Sequence, residues 1–162
     1  MDTRVTAIPI RAAEPADIDA LLRIEEAVFP GDRLTRRNFR HAVRSPSLLA
    51  LVAGTPGDVR GYVFVETRRG SRAARLSSLA VAPDAGRAGL GRRLVLAAEQ
   101  GARDRGCDLI RLEVRADNAG AIALYERAGY RRAGAEADYY DDGETALRFE
   151  KTLPADAVAD TR

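Results

Sequence analysis

The stretch Leu79–Leu94 constrains this chain more than any other. It reads as an apolar strand stopped by Pro83, a loop carrying Gly86, Gly89 and Gly91, and the start of a helix. Glycines let a backbone turn sharply and aim consecutive amide groups at one point. Together with the positive end of a helix dipole, those amides form an anion site. Arg92 and Arg93 follow in the first helical turn. The dipole disfavours a cation there by about 0.3–1 kcal/mol, so a diphosphate in the loop would suit both arginines. The same residues also read as a tight strand-to-helix turn with two solvated arginines.

The size of the chain bounds the answer. Its 162 residues point to one domain. Residues 1–153 are expected to form it, with the small, polar segment 154–162 as a frayed tail. A hydrophobic fraction of 46% with 31% charged residues supports a packed core and argues against disorder. No apolar run reaches membrane length, and Met1-Asp2-Thr3-Arg4 lacks the apolar core of a signal peptide. Cys107 is the only cysteine, which rules out an internal disulfide and fits a reducing compartment. A cytoplasmic protein without a membrane role, monomeric or homodimeric, is the expectation. Net charge is only +2 and the arginines are spread along the chain, which argues against a direct nucleic-acid role.

Periodicity outlines the elements. Ala7–Ala12 reads as a short strand, and Pro9 places it at an edge. A helix begins at Glu14-Pro15 and ends before Pro30-Gly31, with Ile18, Leu21, Leu22, Ile24 and Val28 on its apolar face. A second helix spans about Arg36–Arg44, capped by Thr35 and stapled by Leu34 and Phe39. Its arginines read as a solvated face or as a wall of an acceptor site, and His41 as a surface residue. Leu48–Ala53 and Val59–Thr67 form a hairpin around Gly54–Asp58. A strand from Arg75 to Val81 leads into the opening stretch. The following helix runs to about Arg105, with Leu90, Leu94, Ala97, Ala98 and Gly101 on one side, and Gly106 ends it. Leu109–Val114 then gives a βαβ unit and a parallel pair. A short helix, Asn118–Ala128, and two strands near Tyr130–Ala135 and Ala146–Leu153 complete an α/β fold with a mixed sheet.

The loop is not a P-loop, because no Gly-Lys-Ser/Thr follows. It is a poor dinucleotide fingerprint too, since Leu94 stands where the third glycine belongs. The strand–Pro–loop–helix order with Arg87-Ala88-Gly89-Leu90-Gly91-Arg92 instead resembles the acetyl-CoA loop of GNAT acyltransferases. Downstream, Leu112-Glu113-Val114-Arg115-Ala116-Asp117-Asn118 and Ala121-Ile122-Ala123-Leu124-Tyr125-Glu126 closely resemble bacterial ribosomal-protein N-terminal alanine acetyltransferases. Tyr139-Tyr140 with Asp142-Gly143-Glu144-Thr145-Ala146 is similar to a segment of N-terminal acetyltransferases more widely. The likeness covers about residues 79–153. It departs at Gly86, where the family has Gln or Arg, at Thr145, where it has Asp, and at Pro30-Gly31-Asp32, which lacks an aromatic.

This resemblance implies a single-domain GNAT fold, a twisted mixed sheet of about seven strands with about four helices. It implies acetyl-CoA as cosubstrate, bound by Leu79, Ala80, Val81, Arg87, Ala88, Gly89, Leu90, Gly91, Arg92 and Asn118, and no metal. The acceptor it implies is the α-amine of a protein or peptide, with a ribosomal protein as candidate. An α-amine has a pKa of about 7.7–8.0 against about 10.4 for lysine, so it needs only modest help from a base. Glu113 can supply that help or can be a solvated strand residue. The family implies that the Tyr125 hydroxyl protonates the leaving thiolate; without it, Tyr125 is a packed helix aromatic. Asn118 also suits a helix N-cap. The family further implies an oxyanion donor in the Val81 amide. Tyr139 and Tyr140 read as acceptor-binding residues or as an aromatic hairpin edge, and Cys107 as structural. A small amine or lysine acceptor, and a CoA-binding module without turnover, are the alternatives.

Overall fold

The computed structural model describes residues 8–85 and 89–154. A seven-stranded sheet runs through it in the order β1-β2-β3-β4-β5-β7-β6. The strands are β1 (Ile10–Ala12), β2 (Leu48–Thr55), β3 (Asp58–Glu66), β4 (Ala73–Val81), β5 (Leu109–Arg115), β6 (Arg131–Glu136) and β7 (Ala146–Thr152). Four helices accompany them: α1 (Ile18–Val28), α2 (Arg36–Arg44), α3 (Leu90–Asp104) and α4 (Ala119–Arg127). Only β4 and β5 run parallel; every other neighbouring pair is antiparallel. Among the described residues no helix is long and apolar enough to cross a membrane.

Strand alternation sorts the side chains into two layers. Ile18, Leu21, Ile24, Phe39 and Ala42 of α1 and α2 pack on Val52, Tyr62, Phe64 and Ala80. That layer covers β2, β3 and β4. On the other face, Leu90, Leu94, Val95, Ala98 and Ala102 of α3 meet Val63, Val65, Ile110, Leu112 and Phe149. No strand residue of β5, β6 or β7 belongs to the α1–α2 layer. The α1–α2 face of the sheet is therefore uncovered by helix at β5–β7.

The predicted elements match closely, with local corrections. The first helix opens as a 3₁₀ turn, Pro15–Asp17, because Asp17 turns inward to bond the Glu14 amide and Arg11. The first hairpin turns at Pro56-Gly57, tighter than the predicted five-residue loop, and Gly57 adopts the positive φ that such a turn requires. The buried stripe of α3 includes Val95, Glu99 and Ala102 rather than Ala97 and Gly101, which are half-buried. β1 lies at the sheet edge as Pro9 predicts. Part of the Ala7–Ala12 reading, and Gly86, Arg87 and Ala88, lie outside the described residues.

β4 and β5 do not stay together. They pair only over Ala73–Arg75 and Leu109–Arg111. The β3–β4 register slips between Phe64 and Val65, leaving Ser77 as the extra residue on β4. Such a bulge bends a strand and increases its twist. Beyond it β4 follows β3 to Val81, while β5 stays with β7 to Arg115. A wedge opens between the carboxyl ends of two parallel strands, where α/β sheets bind ligands.

Candidate active site

The wedge has backbone donors on its β4 side. The Ala82 amide donates to the Arg60 carbonyl at 2.8 Å, which flanks the Gly61–Val81 pair. In an antiparallel ladder that pattern marks Gly61–Val81 as a pair that does not bond to each other. The amide of Val81, and by alternation that of Leu79, therefore points away from β3 and into the wedge. Ala80 has the opposite parity, so its amide belongs to the β3 ladder and its side chain to the α1–α2 core. Of the three predicted strand contacts, two present an amide to the wedge.

α3 begins at the mouth of the wedge. Gly89 caps it with φ 77°, a left-handed conformation that favours glycine, and has open space around it. Gly91 sits close to both neighbours: a Cβ there would make ordinary contact with a Leu124 methyl at 3.4 Å and with one of Val81 at 3.9 Å. The start of α3, α4 and the end of β4 thus lie near one another at this corner. Leu90 is buried and packs in the α3 core, so only its backbone is open to a ligand. Arg92 is exposed, whereas Arg93 donates to the Ile8 carbonyl at 2.8 Å. Thus only Arg92 of the pair is left facing solvent. A left-handed glycine, a helix N-terminus and inward-facing strand amides can receive an extended ligand that carries an anionic group.

Asn118 caps α4, accepting from the Ala121 amide at 3.1 Å. Tyr125 on that helix is buried and packs edge-on to Tyr130, with ring centroids 5.6 Å apart. Burial raises the pKa of its hydroxyl well above that of a free phenol, with Tyr140 as the second cause and no hydrogen bond contributing. A phenol so placed is protonated at neutral pH and free to donate.

The uncovered face carries Glu113 and its neighbours. Ile110, Leu112 and Val114 point to α3, so Arg111, Glu113 and Arg115 point the other way. Glu113 is 15% exposed. Its Oε1 accepts from Arg75 Nε at 2.9 Å and lies 2.8 Å from Arg75 Nη2. Its Oε2 is 4.0 Å from Arg148 Nε, beyond direct hydrogen bonding. Tyr139 and Tyr140 stack edge-on with centroids 5.0 Å apart. The Tyr140 hydroxyl is pushed up to about 12, by burial first and then by the charge interactions with Tyr139 and Glu113. Tyr140 thus lies within electrostatic reach of both Tyr125 and Glu113.

Arg115 ties the rim together. It bonds Asp117 and Asp142, the latter at 2.7 Å, and its guanidinium lies 5.0 Å from the Tyr140 ring centroid. It also reaches to 4.0 Å from Asp32 in the α1–α2 loop. These contacts hold Asp117 and Asp142 below the usual carboxylate range. Asp32 is raised instead, mainly by its hydrogen bond with Asp141. Sequence reasoning missed Arg75, Arg115, Arg148 and Asp32 as site residues. The outward parity of Arg148 was legible; its register opposite Glu113 was not.

Other candidates stand apart. His41 is exposed. Cys107 is buried with its thiol pKa pushed up by desolvation, the opposite of an activated nucleophile.

Residues 18–130 match the family model described as Acetyltransferase (GNAT) family. The chain is 35% identical over 111 residues to a mycothiol acetyltransferase of Clavibacter michiganensis, covering 66% of this chain and 36% of that protein. It is 46% identical over 67 residues to the [ribosomal protein bS18]-alanine N-acetyltransferase of Escherichia coli, covering 41% of this chain and 45% of that protein. The match therefore spans less than half the length of these two curated relatives. The catalytic subunit NAA10 of the Arabidopsis thaliana N-terminal acetyltransferase A complex is 31% identical over 149 residues, covering 89% of this chain and 77% of that protein. A crystal structure of the ribosomal-protein-S18-alanine N-acetyltransferase from Escherichia coli superposes with TM-score 0.80 at 29% identity, covering 92% and 96% of the two chains. Fold and family match agree, and the chain belongs to the GNAT acetyltransferase family.

Proposed function

We propose that this protein transfers an acetyl group from acetyl-CoA to the α-amine of a protein or peptide N-terminus, within one ternary complex. The observation that carries this reading is the uncovered face at β5–β7. Glu113 lies there within electrostatic reach of Tyr140, under a rim that Arg115 closes between the α1–α2 and β6–β7 loops. A closed rim suits a chain end, which enters by its tip. The likeness to alanine N-acetyltransferases points the same way, and makes a ribosomal protein a candidate acceptor in the cytoplasm.

Acetyl-CoA supplies the acetyl thioester. The acceptor nitrogen attacks its carbonyl carbon, and the nitrogen's proton passes to Glu113 Oε2, directly or through a water. The Val81 amide meets the negative charge that develops on the carbonyl oxygen. As the carbon–sulfur bond breaks, Tyr125 donates its proton to sulfur. Proton exchange through solvent then returns the Glu113 proton to Tyr125, so charge and atoms balance.

The test is mass spectrometry on peptides that carry both a free N-terminus and a lysine. Acetylation of the α-amine is expected; products confined to the lysine ε-amine overturn the reading. Tyr125→Phe should lower kcat by about 10²–10⁴-fold with the KM for acetyl-CoA unchanged. A small amine is the second reading, favoured by the likeness to mycothiol acetyltransferase. Turnover on small amines with none on peptides would select it.

A further inference from the structure

Glu113 stands in the middle of a charge row that crosses five neighbouring strands on the α1–α2 face of the sheet. In sheet order the row is Glu66 on β3, Arg75 on β4, Glu113 on β5, Arg148 on β7 and Glu136 on β6. Signs alternate at every step. Arg75 Nη1 lies 3.3 Å from Glu66 Oε2, and Arg75 Nη2 lies 2.8 Å from Glu113 Oε1. Arg148 lies 4.0 Å from Glu113 Oε2 and bonds Glu136. The Glu113–Arg148 pair is fixed by register. The Ala116 amide donates to the Thr145 carbonyl, so Arg115–Ala146 and, two residues on, Glu113–Arg148 are pairs that do not bond to each other. Side chains approach most closely at such pairs.

We infer that Arg75 is a positioning residue for Glu113, fixing which carboxylate oxygen accepts the proton, with Arg148 as the secondary support. This rests on the base role given to Glu113 above. Two donors of one guanidinium converge on Oε1, which fills that oxygen and pins its position. Oε2 keeps free acceptor capacity, because its nearest cation is too far for a direct bond. Arg75 can hold this pose because its own far end is anchored on Glu66, two strands away from Glu113. Ion pairs of half-exposed side chains contribute little to stability, so the row's effect belongs to geometry. A carboxylate displaced by about 1 Å loses on the order of a hundredfold in rate.

The experiment measures turnover of a peptide with a free N-terminal alanine by wild type, Arg75→Met, Arg75→Lys, Glu113→Gln and the double variant. Arg75→Met is expected to lower kcat by about ten- to a hundredfold with the KM for acetyl-CoA within about twofold. Arg75→Lys should fall between, and low-millimolar guanidinium should restore part of the Arg75→Met activity. In the Glu113→Gln background the Arg75 substitution should change kcat by less than about twofold, because interacting residues do not add. The ¹³C resonance of the Glu113 carboxyl should move in Arg75→Met protein without ligand. Wild-type kcat in Arg75→Met, or independent effects of the two substitutions, overturns the inference. Wild-type kcat in Glu113→Gln removes the base role itself, which separates the two failures. Should Arg75→Met not fold, Arg75→Lys carries the same comparison.

Discussion

Glu99 is 3% exposed in the middle of α3, and a carboxylate cannot sit there unpaired. Lys151 bonds both of its oxygens, at 3.1 and 3.2 Å, and Tyr130 donates to it at 3.0 Å. Lys151 also bonds the Ala128 carbonyl at 2.8 Å, satisfying the end of α4. The only lysine in the chain is thus committed to structure. Lys151→Met should cost up to about 3 kcal/mol, the low end for a broken buried pair because the lysine is partly exposed. Urea unfolding checks this, and adding Glu99→Gln should recover part of the loss. Asp17 gives a pH dependence. Arg11 bonds it at 2.9 Å on both oxygens and holds its carboxyl below the usual range. Its stabilisation is then present above the unfolded value of about 3.9 and lost as pH falls through the lower folded value. Asp117 and Asp142 share that sign through Arg115. Melting temperature should fall below about pH 4, and the fall should be shallower in Asp17→Asn.

At the scale of elements, each segment bordering the wedge is held by a local device. α2 starts with a reciprocal box in which the Asn38 amide donates to the Thr35 hydroxyl oxygen and the Thr35 amide to Asn38 Oδ1. The loop before it is fixed from below: buried Glu25 accepts the Leu34 amide at 2.7 Å and the Tyr62 hydroxyl, which also meets Ser78 at 2.9 Å. The α1–α2 loop that reaches Arg115 is therefore anchored to β3 and β4. Thr35→Ala should destabilise by about 1 kcal/mol, seen in the urea midpoint, without altering kcat. Gly89→Ala forces a side chain into a left-handed backbone at a cost of about 1–2 kcal/mol. The start of α3 should shift to relieve it, so a lower melting temperature and a higher KM for acetyl-CoA are expected together.

Over the whole molecule, one sheet is paired continuously except where β4 and β5 part. Two helical layers cover its faces unequally, and the uncovered region lies beside that gap. A ligand in the wedge would touch β4, the α3 start and α4 at once, joining the two halves of the sheet. Acetyl-CoA at a hundred times its Kd should stabilise the fold by about 2.7 kcal/mol. Hydrogen exchange should slow at the Leu79 and Val81 amides more than at Ala80, whose amide is already in the β3 ladder. Equal slowing at all three would contradict the assigned parity.

Much of this was written in local sequence. Thr35 and Leu34 define the start of α2, Gly106 the end of α3, and Asn118 the cap of α4, because caps and turns depend on residues a few positions apart. The outward parity of Glu113 was readable from Ile110, Leu112 and Val114. What it faces was not. Arg75 is 38 residues from Glu113, Arg148 is opposite it only by strand register, and Asp32 reaches Arg115 from another layer. The sequence by itself determined the strand–loop–helix that opens the wedge and the residue types able to work there. Only the tertiary structure decided which Glu113 oxygen is held, which strand amides face the gap and what closes the rim. Register, the bulge at Ser77 and the uneven helix cover are properties of paired strands, and no local window of the chain contains a pair.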